Sequence, residues 1–110
     1  MPDPWEISPE TVQRRLSDED DVVLIDCRTA REYEVSHIDG ARLMPMQELS
    51  IRHDDIEALE RANVIIYCRT GRRSRIVARF MVLRGCTNVV SMAGGIEAWM
   101  QGIDPAMPTS

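Results

Sequence analysis

Val64-Ile65-Ile66-Tyr67 offers water no charged or amide side chain on either face, and its β-branched and aromatic residues suit an extended, pleated backbone. Such a run predicts a strand buried on both sides, which requires helices packed above and below it. Val22-Val23-Leu24-Ile25 repeats the pattern. Helical signals fill the intervals. Ser8-Pro9-Glu10 reads as N-cap, first-turn proline and first-turn acid of a helix reaching about Leu16. Thr29-Ala30-Arg31-Glu32 has capping-box spacing for a short helix to about Val35. After Ser74, the residues Ile76, Val77, Phe80, Met81 and Leu83 recur at helical spacing, and Gly85 caps that helix. Trp5-Glu6-Ile7 predicts a short edge strand, His37 to Pro45 a turn into another, and Asn88 to Ser91 the last. Residues 47 to 62 are expected to be partly helical, with Leu49, Ile51, Ile56 and Leu59 facing inward. Gly94-Gly95 opens a final helix carrying Ile96, Ala98 and Trp99. The alternation predicts an α/β fold, a central parallel sheet with helices on both faces. The 110 residues fit one domain spanning 1–110, with its core at about 5–102 and an extended tail over 103–110.

The chemistry concentrates where the Val64–Tyr67 strand ends, at Cys68-Arg69-Thr70-Gly71-Arg72-Arg73-Ser74. A cysteine at a strand-to-helix turn lies beside amides that have no partner within the helix and at the positive end of its dipole. Those amides stabilise a thiolate, and comparable settings bring cysteine pKa values from ~8.5 to about 3.5–7.5. Gly71 permits the tight turn that aims successive amides at one centre. In parallel sheets, ligands bind outside the carboxyl ends of the strands. Asp26, Arg28, Cys68 and the Gly94-Gly95 turn all fall at those ends.

Charge is divided unevenly along the chain. The net charge is −5, yet Arg61 to Ile96 contains seven arginines and no carboxylate, whereas residues 1 to 60 hold sixteen of the eighteen acids. This balance argues against nucleic acid or an anionic membrane as partner, while a local basic segment still attracts a small anion. Arg75, Arg79 and Arg84 are expected to pair with carboxylates of the first half. No apolar run approaches the ~20 residues of a membrane helix. The opening residues lack the basic and apolar regions of a signal peptide, so a cytoplasmic location is expected. Cys27, Cys68 and Cys86 form no CxxC pair and no zinc spacing. The scattered methionines are read as core filling.

Three segments together resemble the single-domain rhodanese family of sulfurtransferases. Val23-Leu24-Ile25-Asp26-Cys27-Arg28, with Glu32-Tyr33 and His37-Ile38-Asp39-Gly40-Ala41, is similar to the family's first signature. Cys68 to Ser74 resembles its active-site loop. Gly85-Cys86-Thr87-Asn88-Val89 with Gly94-Gly95-Ile96-Glu97-Ala98-Trp99 resembles its closing signature. Asp39 stands where the family often has proline, and Cys27 where it often has valine.

The resemblance implies that Cys68 takes a sulfane sulfur as a persulfide and passes it to cyanide or a thiol, with thiosulfate as the usual test donor. No metal or organic cofactor is implied; a sulfur-relay protein is a candidate partner. Arg69 and Arg72 would attract a dianionic donor, and Thr70 and Ser74 would donate hydrogen bonds. Arg73 would face the ligand or turn inward to Asp26 or Glu32. Asp26 and Arg28 would support the site as scaffold, and His37 would order a turn. Cys27, at the same sheet edge, is either packing or a partner for Cys68; Cys86 is packing. Two alternatives remain. A cysteine phosphatase or arsenate reductase also cradles a thiolate, but its signature places arginine six residues after the cysteine, where this chain has Ser74. A non-catalytic docking module is the other.

Overall fold

The structure, a computed structural model, describes residues 5–108. Five strands form one sheet in the order β1-β5-β4-β2-β3, with every neighbouring pair parallel. They are β1 (Glu6–Ile7), β2 (Val22–Asp26), β3 (Arg42–Leu43), β4 (Asn63–Tyr67) and β5 (Asn88–Met92). The helices are α1 (Pro9–Asp18), α2 (Ala30–Val35), α3 (His53–Glu57), α4 (Arg72–Leu83) and α5 (Gly95–Gly102), and Met46–Ile51 forms a 3-10 helix. The expected α/β architecture is what the chain adopts. Both local signals for helix starts are realised. Ser8 accepts from the Thr11 amide at 3.1 Å, and Thr29 and Glu32 form a reciprocal capping box.

The central strand explains the two-sided core. Side chains alternate along β4, so Val64 and Ile66 enter one cluster with Val77, Ala78 and Met81 of α4, together with Leu49 and Ile56. Ile65 and Tyr67 enter the opposite cluster with Val12, Ile96 and Trp99 of α1 and α5. No helix among the described residues is long and apolar enough to cross a membrane.

Several expectations change. Ile51, expected inward, is 78% exposed at the last position of the 3-10 helix; three residues per turn rotate it away from the face that buries Leu49. Ile76 and Leu83 share helical spacing with the buried residues of α4 but lie outside its apolar arc, at 59% and 86% exposed. Trp5 precedes β1 rather than joining it. The segment after α5, expected to be extended, turns back instead. The Asp104 amide donates to the Trp99 carbonyl, and Met107 packs against the α1/α5 cluster. Among the described residues, the expected pairing of the α4 arginines with carboxylates of the first half is seen at Arg75. Arg75 reaches Glu6 at 3.9 Å, Arg79 lies over the Trp5 ring, and Arg84 covers Phe80 and meets His53 Nδ1 at 3.2 Å.

Candidate active site

Cys68 is the first residue beyond β4, and four positions later α4 begins. Gly71, at φ +100°, turns the chain between them in a conformation that L side chains rarely adopt. The turn directs the Gly71 amide to Cys68 Sγ at 3.1 Å and the Ser74 amide at 3.3 Å. Ser74 Oγ lies 3.4 Å from the same sulfur. Fully buried, it also sits 2.7 Å from Ser91 Oγ. With Ser91 donating to Ser74, the Ser74 proton is available to a thiolate.

The other side of the loop is tied to a second helix start. The Ile96 amide donates to the Cys68 carbonyl at 2.8 Å, and the Glu97 amide to the Arg69 carbonyl at 3.1 Å. Gly95 allows this approach, because a Cβ there would collide with both carbonyls. The loop therefore presents amides to the sulfur while its oxygens are held by α5.

These contacts decide the protonation of the site. The Cys68 thiol is lowered from its ordinary value to about 4. The hydrogen bond from Cys27 is the largest cause, with further help from the Ser74 hydroxyl and the Ser74 and Gly71 amides, against the opposing effect of burial. Cys27 is pushed far upward by the same hydrogen bond and by burial. At neutral pH the pair shares one proton, which resides on Cys27, and Cys68 is the thiolate.

The loop's charges point in three directions. Arg73 turns inward to Glu32 in a two-pronged pair at 2.9 and 3.1 Å, choosing Glu32 over Asp26 and fastening the start of α4 to α2. Arg69 extends along the surface to Glu97 at 2.8 Å. Arg72 is exposed and makes no ion pair among the described residues. It lines a depression with Arg75, Ile76 and Arg79. Thr70 is exposed and does not contact the sulfur, so of the two hydroxyls considered only Ser74 reaches it.

Asp26 and Arg28 do not touch Cys68. The Arg28 guanidinium grips both Asp26 oxygens at 2.8–3.1 Å, with both side chains fully buried, and donates to the carbonyl of the partly buried Ser36 at 2.6 Å. This pair joins the end of β2 to the end of α2. His37 stacks on Tyr33 and meets its carbonyl at 2.8 Å, a contact that orders the turn.

Ser91 and the Ile96 and Glu97 amides belong to the site; Ile96 and Glu97 lie in the segment that resembles the closing signature, but a backbone amide carries no side-chain signal that would assign it to the loop. The one usable signal was Ser91, a hydroxyl inside an otherwise apolar strand. Among the described residues no cluster of His, Cys, Asp or Glu forms a metal site.

Comparison with known proteins agrees with this geometry. The family model described as a rhodanese-like domain matches residues 8–102. A protein named sulfurtransferase from Allochromatium vinosum is 37% identical over 94 residues, covering 86% of each chain. A putative sulfur carrier protein of Bacillus subtilis, YrkF, is 31% identical over 94 residues, and the match takes in 86% of this chain but 50% of YrkF. The crystal structure of a rhodanese-like domain protein from Staphylococcus aureus superposes with a TM-score of 0.76 at 26% identity, over 86% of this chain and 89% of that one.

Proposed function

Since the chain belongs to the rhodanese-like family of sulfurtransferases, we propose that it moves a sulfane sulfur from a small anionic donor through a Cys68 persulfide to a thiol or cyanide. The observation that carries this reading is the buried Cys68 sulfur facing the Gly71 and Ser74 amides and the Ser74 hydroxyl. A thiolate held this way attacks the outer sulfur of thiosulfate, and sulfite departs with the bonding electrons. The terminal sulfur of the resulting persulfide inherits the negative charge and lies where loop amides stabilise it. An acceptor nucleophile then attacks that terminal sulfur and returns Cys68 as thiolate. Arg72, exposed at the start of α4 and without an ion pair among the described residues, draws the anionic donor in. The same reading assigns the chain to a reducing compartment such as the cytoplasm, and a thiol on a partner protein serves as acceptor as readily as a small thiol.

A phosphatase or arsenate reductase places a guanidinium over the bound oxyanion. Here the position six residues after the cysteine is Ser74, and the arginine one position earlier, Arg73, is committed to Glu32. A docking module has no use for a depressed thiol, so the low Cys68 pKa favours catalysis.

The test is intact-protein mass spectrometry after thiosulfate treatment, beside Cys68→Ala. The expected result is gain of one sulfur atom at Cys68 that cyanide removes. A folded, reduced protein that fails to load overturns the proposal.

A further inference from the structure

Cys27 stands beside the nucleophile on the neighbouring strand. Asp26 of β2 and Tyr67 of β4 are register partners, and the Cys27 amide donates to the Tyr67 carbonyl at 3.0 Å. The next residues along the two strands, Cys27 and Cys68, therefore leave the sheet side by side. They share one face, in the cluster that also holds Ile25, Val64 and Ile66. Neighbouring strands run about 4.8 Å apart, within the ~4.4–6.8 Å Cα separation that a disulfide tolerates. Both sulfurs are closed to solvent, and Cys86 is engaged elsewhere, 3.7 Å from the Ile56 carbonyl.

We infer that Cys27 is a resolving thiol for the loaded site: when no acceptor arrives, it attacks Cys68 Sγ and expels the sulfane sulfur as hydrosulfide, leaving a Cys27–Cys68 disulfide. The inference rests on the persulfide reading above. The step balances without an outside oxidant. The bond from Cys27 Sγ to Cys68 Sγ forms, and the bond from Cys68 Sγ to the terminal sulfur breaks. The terminal sulfur leaves with the electron pair and takes the Cys27 proton. The two cysteines lose two electrons in total, and the sulfane sulfur gains them. Two equivalents of a small thiol then reduce the disulfide and restore the resting pair.

The resting site keeps Cys27 inactive, because its thiol donates to the Cys68 thiolate and so holds its own proton. Loading removes that restraint. The charge moves to the terminal sulfur, Cys68 Sγ becomes a divalent electrophilic sulfur, and Cys27 stands at the neighbouring strand end in the same buried cluster. The leaving sulfide is the atom that the loop amides stabilise. Cys27 reaches Sγ from the adjacent strand end while the amides approach from the loop, so attack does not require the cradle to open. The structure thus supplies a route by which an unclaimed persulfide discharges instead of remaining exposed to further oxidation.

The experiment loads reduced protein anaerobically with thiosulfate, removes the donor and follows mass and released sulfide without acceptor. Wild type is expected to lose the added sulfur and two hydrogens, releasing one sulfide per chain at a rate independent of protein concentration. Digestion then yields a linked Cys27–Cys68 peptide pair. Cys27→Ser and Cys27→Ala, loaded to the same extent, should retain the sulfur with decay at least ~10-fold slower. Equal decay in wild type and both variants, or loaded wild type that forms no linked pair, overturns the inference and leaves the transferase reading intact. Protein that never gains the sulfur overturns both.

Discussion

Cys68 and Cys27 have the same side chain and neighbouring positions, yet opposite protonation. The difference lies in what each faces: Cys68 meets two amides and a hydroxyl, whereas at Cys27 the hydrogen bond to Cys68, burial in the core and the Asp26 charge oppose ionisation, with only Arg73 favouring it. Iodoacetamide alkylation of Cys68, followed against pH, should therefore inflect near 4 rather than near 9. Cys27→Ala should move the inflection upward by removing the largest stabilising hydrogen bond. An inflection unchanged in that variant would assign the shift to the loop alone. Among the arginines, position in the loop does not predict role. Arg69 is paired with Glu97 and Arg73 with Glu32, while Arg72 has no such partner among the described residues. Arg72→Ala should raise the KM for thiosulfate about 3- to 10-fold with kcat nearly unchanged, and Arg69→Ala should raise it less. Steady-state kinetics at low ionic strength checks the order. The sequence showed that Cys68 to Ser74 form the reactive loop, because strand, cysteine, glycine and helix follow one another directly. It did not show which arginine remains available, because Glu97 and Glu32 are brought to the loop by separate crossovers.

At the scale of elements, the strands and the starts of α1 and α2 were legible because their signals are local: an unbroken apolar run on β4, a serine cap before Pro9, a capping box at Thr29. The faces of the helices were less so. Leu83 and Ile76 are apolar and correctly spaced, but burial depends on where the sheet lies, and it meets Val77, Ala78 and Met81 instead. The docking of α5 onto the loop was not legible either, since a backbone carbonyl leaves no trace in sequence. Its signature is steric, at Gly95, where φ is +60° and a Cβ would strike the Cys68 and Arg69 carbonyls. Gly95→Ala should destabilise the fold by about 2–4 kcal/mol and raise the Cys68 pKa in the folded fraction. Denaturant unfolding together with the alkylation profile measures both. A variant with wild-type stability and an unshifted inflection would show that α5 does not set the loop.

Across the whole molecule, the protonation states make stability depend on pH in two windows. Glu32 falls from 4.5 to about 2 on folding, chiefly through its hydrogen bond with Arg73. A depressed carboxyl stabilises above its unfolded pKa, so this contribution is lost as pH falls from about 4.5 to 2. The cysteine pair binds one proton when folded and two when unfolded, between about pH 4 and the ordinary thiol value of 9.0. Stability should rise with pH across that range and decline above it, where the unfolded chain sheds the proton that Cys27 retains. Chemical denaturation of wild type and Cys68→Ala at a series of pH values tests this: the variant should lose the rise between 4 and 9 and keep the one below 4.5. The amides that hold the loop's oxygens come from Ile96 and Glu97, and Glu97 lies 28 residues after Arg69. A growing chain consequently makes its nucleophile long before it makes the helix that completes the nucleophile's surroundings. During synthesis the reactive loop therefore emerges before the helix that anchors its carbonyls, and its final geometry waits on that helix.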